Sequence, residues 1–241
     1  VSRDHSLESD KSSILGVSAS GDNITVREEL AYKVNHTLMG AYSMYENVPL
    51  TAVVNKMLCI LPEEPMTPRL ADSRLGLTTQ LKSDFVGAGQ EVKNIRYAKR
   101  WRIEPSDSAA YRRGELVEPK KQLVFYIDSL LPVKWHPYVK AGAESWNRAF
   151  EKIGFKNVIC VKEFPENDTL FNAHSLDCMT IRYSASWMNT AQTTLHSDAR
   201  TGEILNASIL INANLISVQY IDRIAATVAT DPRVRTVIFP Q

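Results

Sequence analysis

Residues 123–161 read LVFYIDSLLPVKWHPYVKAGAESWNRAFEKIGFKNVICV, and two successive periodicities in this stretch set the fold class. Residues 123–127 are an unbroken apolar run of the kind a central strand carries. Beyond Pro132 the pattern changes. Trp135, Tyr138, Val139, Gly142, Ala143, Trp146, Ala149, Phe150 and Ile153 recur at spacings of three and four, which predicts one helix over 135–153 with that stripe facing a core. Pro137 suits a first helical turn, and Gly154 stands where a left-handed C-terminal cap is wanted. Trp146 is expected to be the most buried residue of the stripe. Asn147 beside it either bonds across to a loop or faces water, and His136 at the helix entry is expected to face solvent.

Past this stretch, residues 158–161 and 179–183 read as two more strands, separated by a polar loop holding Glu166, Asn167 and Asp168. Residues 193–196 then lead through Ser197-Asp198-Ala199-Arg200-Thr201-Gly202 into the apolar-rich run 203–211, the pattern of a hairpin. Leu215, Val218, Ile221, Ala225 and Val228 form a helical stripe, ended by Asp231-Pro232. Before residue 123, the segment 23–61 reads as short β segments, with Gly21-Asp22-Asn23 and Glu46-Asn47 as breaks and Pro62, Pro65 and Pro68 closing the series. Residues 96–103 are strand-like with Trp101 and Ile103 inward, and the charged segment 111–121 suits a linker. The expected architecture is α+β: a β-rich amino-terminal domain with its linker over 1–118, then a mixed sheet with a packed helix over 119–241, the boundary lying near Pro119.

The chain has 241 residues, of which 44% are hydrophobic and 23% charged. That composition excludes wholesale disorder and a coiled coil. A net charge of +1 provides no field for drawing in nucleic acid, and the basic cluster Arg96, Lys99, Arg100 and Arg102 is followed at once by Glu104 and Asp107. No nucleic-acid partner is expected. No apolar run reaches the roughly 18 to 20 residues of a bilayer span, so no membrane span is expected either. Val1-Ser2-Arg3-Asp4-His5 is neither an initiator Met nor a signal peptide and is expected to open a mature form. Cys59, Cys160 and Cys178 show no CxxC spacing and are expected to be thiols. Gly87-Ala88-Gly89 lacks the rest of a dinucleotide loop, and no Gly-x-Ser-x-Gly elbow is present.

Several segments together resemble a family of secreted bacterial zinc-dependent metallopeptidases of the metzincin type. They are Pro65-Met66-Thr67-Pro68-Arg69 with Asp72-Ser73-Arg74-Leu75-Gly76; Arg100-Trp101-Arg102 through Glu118-Pro119-Lys120-Lys121 to Phe125-Tyr126-Ile127-Asp128; and Trp146-Asn147 to Gly154-Phe155. Asp198-Ala199-Arg200-Thr201-Gly202-Glu203-Ile204 falls where such enzymes carry an Asp-Pro-Arg-Thr-Gly-Glu-Ile hairpin, with Ala199 replacing the proline. In that family a segment like Asp231-Pro232-Arg233 is followed by a helix bearing His-Glu-x-x-His.

The resemblance implies a metzincin-like twisted mixed sheet, incomplete because it stops before that helix, and a secreted or cell-envelope location. It implies peptide-bond hydrolysis in the full-length protein. Within this chain it assigns no catalytic residue, no metal ligand and no cofactor, zinc being expected only in the full-length family protein. Two histidines one helical turn apart would hold the metal and the intervening Glu would act on its water. No His-Glu-x-x-His occurs among the five histidines, His5, His36, His136, His174 and His196. What the resemblance does assign here is a sheet edge, Thr193, Thr194, Leu195 and His196, that aligns an extended peptide or protein substrate. His196 also stands where a related branch holds a structural zinc, although a lone His beside a hairpin reads more simply as a surface residue. The competing reading is a catalytically silent binding or accessory protein. The uncompleted sheet would leave an apolar face, which the helix over 215–228, a neighbouring chain or a tendency to self-associate is expected to cover.

Overall fold

The computed structural model describes residues 2–38, 42–85, 92–165, 175–176, 178–228 and 230. Gly87-Ala88-Gly89, the loop at Glu166-Asn167-Asp168, His174 and Asp231-Pro232-Arg233 lie outside them. The protein is a β-rich α+β chain of two compact units, Val1–Glu64 with Asn172–Leu176, and Pro65–Phe171 with Asp177–Gln241. Pro119 lies inside the second.

The first unit holds three long antiparallel strands, β1 (Ser2–Ser20), β2 (Asn23–Leu38) and β3 (Tyr42–Cys59), in that order across the sheet. Gly21, at φ 53°, makes the expected first turn. Residues 2–20, where the sequence shows little alternation, are strand because pairing with β2 holds them. Glu46-Asn47 is not a break. The β2–β3 register steps from Val34↔Val48 to His36↔Tyr45, so two residues of β3 oppose Asn35 in a bulge. Asn47 takes φ 53° there and donates its N–H to Asn35 Oδ1 at 2.7 Å, so the turn-like dipeptide bends the strand without ending it.

In the second unit a hairpin, β4 (Thr79–Asp84) and β5 (Lys93–Ala98), accompanies a five-stranded sheet. Residues 111–121 are not a linker. The helix α1 (Ser108–Arg112) is capped by the Asp107 carboxylate on the N–H groups of Ala109 and Ala110, and Ala110 and Val117 are core residues. The Tyr111 ring stacks on Phe155 at 5.0 Å, and its hydroxyl donates to Ile153 O. Gly154, at φ 91°, is required in this packing, because a Cβ there would sit 2.7 Å from the Tyr111 ring.

The sheet is built from β6 (Leu123–Ile127), β7 (Ile159–Glu163), β8 (Met179–Ser184), β9 (Ala191–Ser197) and β10 (Ile204–Asn212), in the order β7-β6-β8-β10-β9. All neighbours are parallel except β9, which runs antiparallel to β10 at one edge. The registers put Phe125, Ile127, Val161, Ile181, Ala207 and Ile209 on one face. Thr180, Arg182 and Ser208 stand on the other together with Val124, Tyr126 and Leu210, so the alternation sets an apolar face against a mixed one.

The single helix expected over 135–153 is two, α2 (His136–Glu144) and α3 (Asn147–Glu151). Trp146 between them is 65% exposed, so the expectation that it would be the most buried of its stripe is overturned. Backbone bonds from Trp146 to Ala143 and from Arg148 to Ser145 span three residues. Such a turn advances each residue by about 120° instead of 100°. Trp146 is thereby rotated off the stripe, of which Trp135, Val139, Ala143 and Phe150 pack on the core while Tyr138 and Ile153 are also exposed.

Candidate functional site

The four residues assigned to substrate from the sequence all lie on β9, where Thr193, Thr194 and His196 are exposed and Leu195 is half-buried. Pairing sets Thr193 opposite Ile209, Thr194 opposite Ser208, Leu195 opposite Ala207 and His196 opposite Asn206. Leu195 therefore points to the apolar face of the sheet and His196 to the other. The outer side of β9 has no strand partner among the described residues. In an antiparallel edge strand every second residue turns its N–H and C=O outward, which is the arrangement that accepts an added strand.

The opposite edge of the same sheet is closed. Asn147 donates Nδ2 to Ile159 O at 2.9 Å and accepts Ile159 N–H on Oδ1 at 2.9 Å. Glu144 accepts the N–H of Val161 at 3.1 Å. Two side chains at the α2–α3 junction thus occupy the outward groups of β7, one of the ways a protein blocks pairing at an exposed edge. Asn147 has settled on a strand edge, neither the loop nor the water that its sequence position suggested. No local pattern marks such a contact, since Asn147 and Ile159 meet only when the helix lies on the sheet.

Both ends of β9 are fixed. At its start, Asn212 is buried, donates to Thr190 O at 2.6 Å and accepts from Ser186 Oγ at 2.9 Å, while Asn214 Nδ2 donates to Trp187 O at 2.8 Å. At its end the Asp198 side chain, fully buried, accepts the Arg200 N–H at 2.8 Å and a two-pronged bond from the Arg200 guanidinium. Arg200 holds that carboxyl below the usual carboxylate range, against an opposing push from burial. Gly202 O accepts Arg100 N–H, Ile204 N–H donates to Arg100 O, and Arg102 pairs with Glu203 at 3.2 Å. The Asp198–Ile204 hairpin that carries the family resemblance is therefore a structural clamp docked on residues 100–102.

Above the apolar face lies an open cleft of about 370 Å³, walled by Trp101, Trp146 and Phe150 and floored by Phe125, Ile181 and Ile209. The helix α4 (Asn214–Thr227) follows β10, but none of its residues is buried. Nothing among the described residues of α4 closes the cleft.

His136 is not solvent-facing as its position predicts. Its side chain is 13% exposed, with Nδ1 3.0 Å from Glu163 Oε1 and Nε2 2.9 Å from Leu131 O. Glu163, and then the Leu131 carbonyl, raise its pKa despite burial. Both partners are acceptors, so only the doubly protonated ring satisfies both. His136 ties the start of α2 to β7 and is far from forming a ligand set. Among the described residues no group of three or more His, Cys, Asp or Glu side chains is placed to hold a metal, and none of their helices is long and apolar enough to cross a membrane. The three cysteines are free thiols.

Residues 2–106 match the family model of a domain of unknown function, DUF5117. No curated protein and no solved structure matches the chain.

Proposed function

We propose that these residues are the forward part of a secreted or cell-envelope zinc-dependent metallopeptidase of the metzincin type, in which β9 is the shelf that aligns an extended peptide substrate. The observation that carries this reading is the asymmetry of the five-stranded sheet. One edge is sealed by Asn147 and Glu144, while the other, at Thr193 to His196, is antiparallel, exposed and held at both ends. A peptide laid along β9 gains backbone hydrogen bonds whatever its sequence, and alternate side chains would meet Leu195 and the apolar side. The chain's own contribution is alignment. No described residues group into a zinc site, and this reading assigns the metal and the group that acts on its water to the family's His-Glu-x-x-His helix.

Metal analysis after dialysis, run beside cleavage of a quenched peptide with and without chelator, tests this. Residues 1–241 should bind no stoichiometric zinc and cleave nothing, whereas the protein carried through the next helix should gain one zinc and chelator-sensitive cleavage. One zinc per chain with cleavage by 1–241 alone would overturn the proposal. A longer protein that binds extended peptide without zinc or cleavage would replace it with the catalytically silent binding reading.

A further inference from the structure

We infer that the apolar face of the three-stranded unit is a homodimer interface, closed by the same face of a second copy of this chain. Over Asn23 to Val34 the β2–β3 register is unbroken, so alternate residues of β2 and their direct partners share a face. One face carries Ile24, Val26, Leu30, Tyr32 and Val34, opposite Leu58, Lys56, Ala52, Leu50 and Val48 respectively. In β1, Val17 and Ile14 join them through Val26 and Glu28. The other face carries Arg27, Glu29 and Lys33, and Glu8 pairs with Lys33 there at 2.7 Å.

Within this unit the described residues leave the apolar face open: Ile14 is 67% exposed, and Val17 and Leu58 are each 64% exposed. Its two charges cancel each other, since Lys56 lies 2.5 Å from Glu28, so a like face can approach without net repulsion. Its size decides the occupant. Twelve β2–β3 rows, flanked by β1 at every row but that of Leu30, cover about 40 Å by about 14 Å, or roughly 550 Å². Monomers rarely leave a contiguous apolar patch of more than a few hundred Å² open. Two such faces together bury about 1,100 Å², just above the roughly 1,000 Å² that a biological interface should clear. Sheet-on-sheet packing of this kind needs a flat apolar partner, and a two-fold axis supplies one from the same patch. The inference stands apart from the peptidase reading, because it uses no residue of the β9 edge.

Sedimentation velocity of the full 241-residue chain should show a dimer at about 10 μM. The variant V17K/L58K, altered only at exposed positions, should raise the dimer Kd by about 100-fold or more with an unchanged far-ultraviolet spectrum. N55K, on the polar face, should leave the dimer intact. A monomer at about 100 μM, whether its apolar face is bare or covered from within one chain, overturns the inference. So does a dimer that survives V17K/L58K, since another surface then holds it.

Discussion

His136 and Gly202 owe their importance to neighbours that are distant in sequence. Because Glu163 and Leu131 both need an N–H from His136, its folded pKa lies above the ordinary imidazole value of about 6.5. The stabilisation is therefore fully present below about pH 6.5 and is lost as pH rises through the folded value. With Glu163 largely exposed the pair is worth about 1 kcal/mol. In thermal melts of wild type and H136Q from pH 5.5 to 8.5, the gap in Tm should be widest at the acid end and shrink towards the alkaline end. A constant gap would show that packing alone holds the ring. Gly202 sits at φ 79° where an added Cβ would lie 2.7 Å from the Ala98 carbonyl oxygen, a backbone atom that cannot swing aside. G202A should cost about 2 kcal/mol, read as a fall in the urea midpoint with an unchanged slope.

The break between α2 and α3 shows how one junction can set the chemistry of a whole sheet. Turning at Ser145-Trp146 brings Asn147 onto the backbone of β7, which leaves Trp146 outside to wall the apolar cleft. W146A should therefore cost about 1 kcal/mol, well short of the roughly 3 to 5 kcal/mol of an aromatic truncated inside a core. N147A removes both partners of the Ile159 backbone and should cost about 1 to 2 kcal/mol. Its signature is local. Amide exchange at Ile159 should accelerate more than at residues of β6, which stay paired on both sides. If Ile159 is unaffected, the sealed edge is held by something other than Asn147, and the contrast with β9 loses its meaning.

Across the molecule, the two units present different surfaces to be covered. The first offers one apolar sheet face with its charges internally paired, and the second offers a strand edge that is unpaired among the described residues, beside an apolar cleft. The self-association proposed for the former and the peptide alignment proposed for the latter are separable. V17K/L58K should leave extended-peptide binding at β9 unchanged, which fluorescence anisotropy of a labelled peptide with the longer protein would measure. Loss of both together would place the two functions on one surface.

The strands at 123–127, 158–161, 179–183 and the 193–211 hairpin were legible in the residues alone, because apolar runs and turn chemistry act over a few neighbours and survive any packing. The choice of β9 as the candidate edge came instead from the resemblance carried by its hairpin, and its substrate role is a proposal. Tertiary structure alone decided that residues 2–20 are strand, that Glu46-Asn47 is a bulge and that 111–121 belongs to a core. It also decided that Trp146 faces out, His136 faces in and Asn147 closes an edge. Each of these depends on a partner many positions away, and periodicity records how often a residue recurs along the chain without recording which backbone group it will meet.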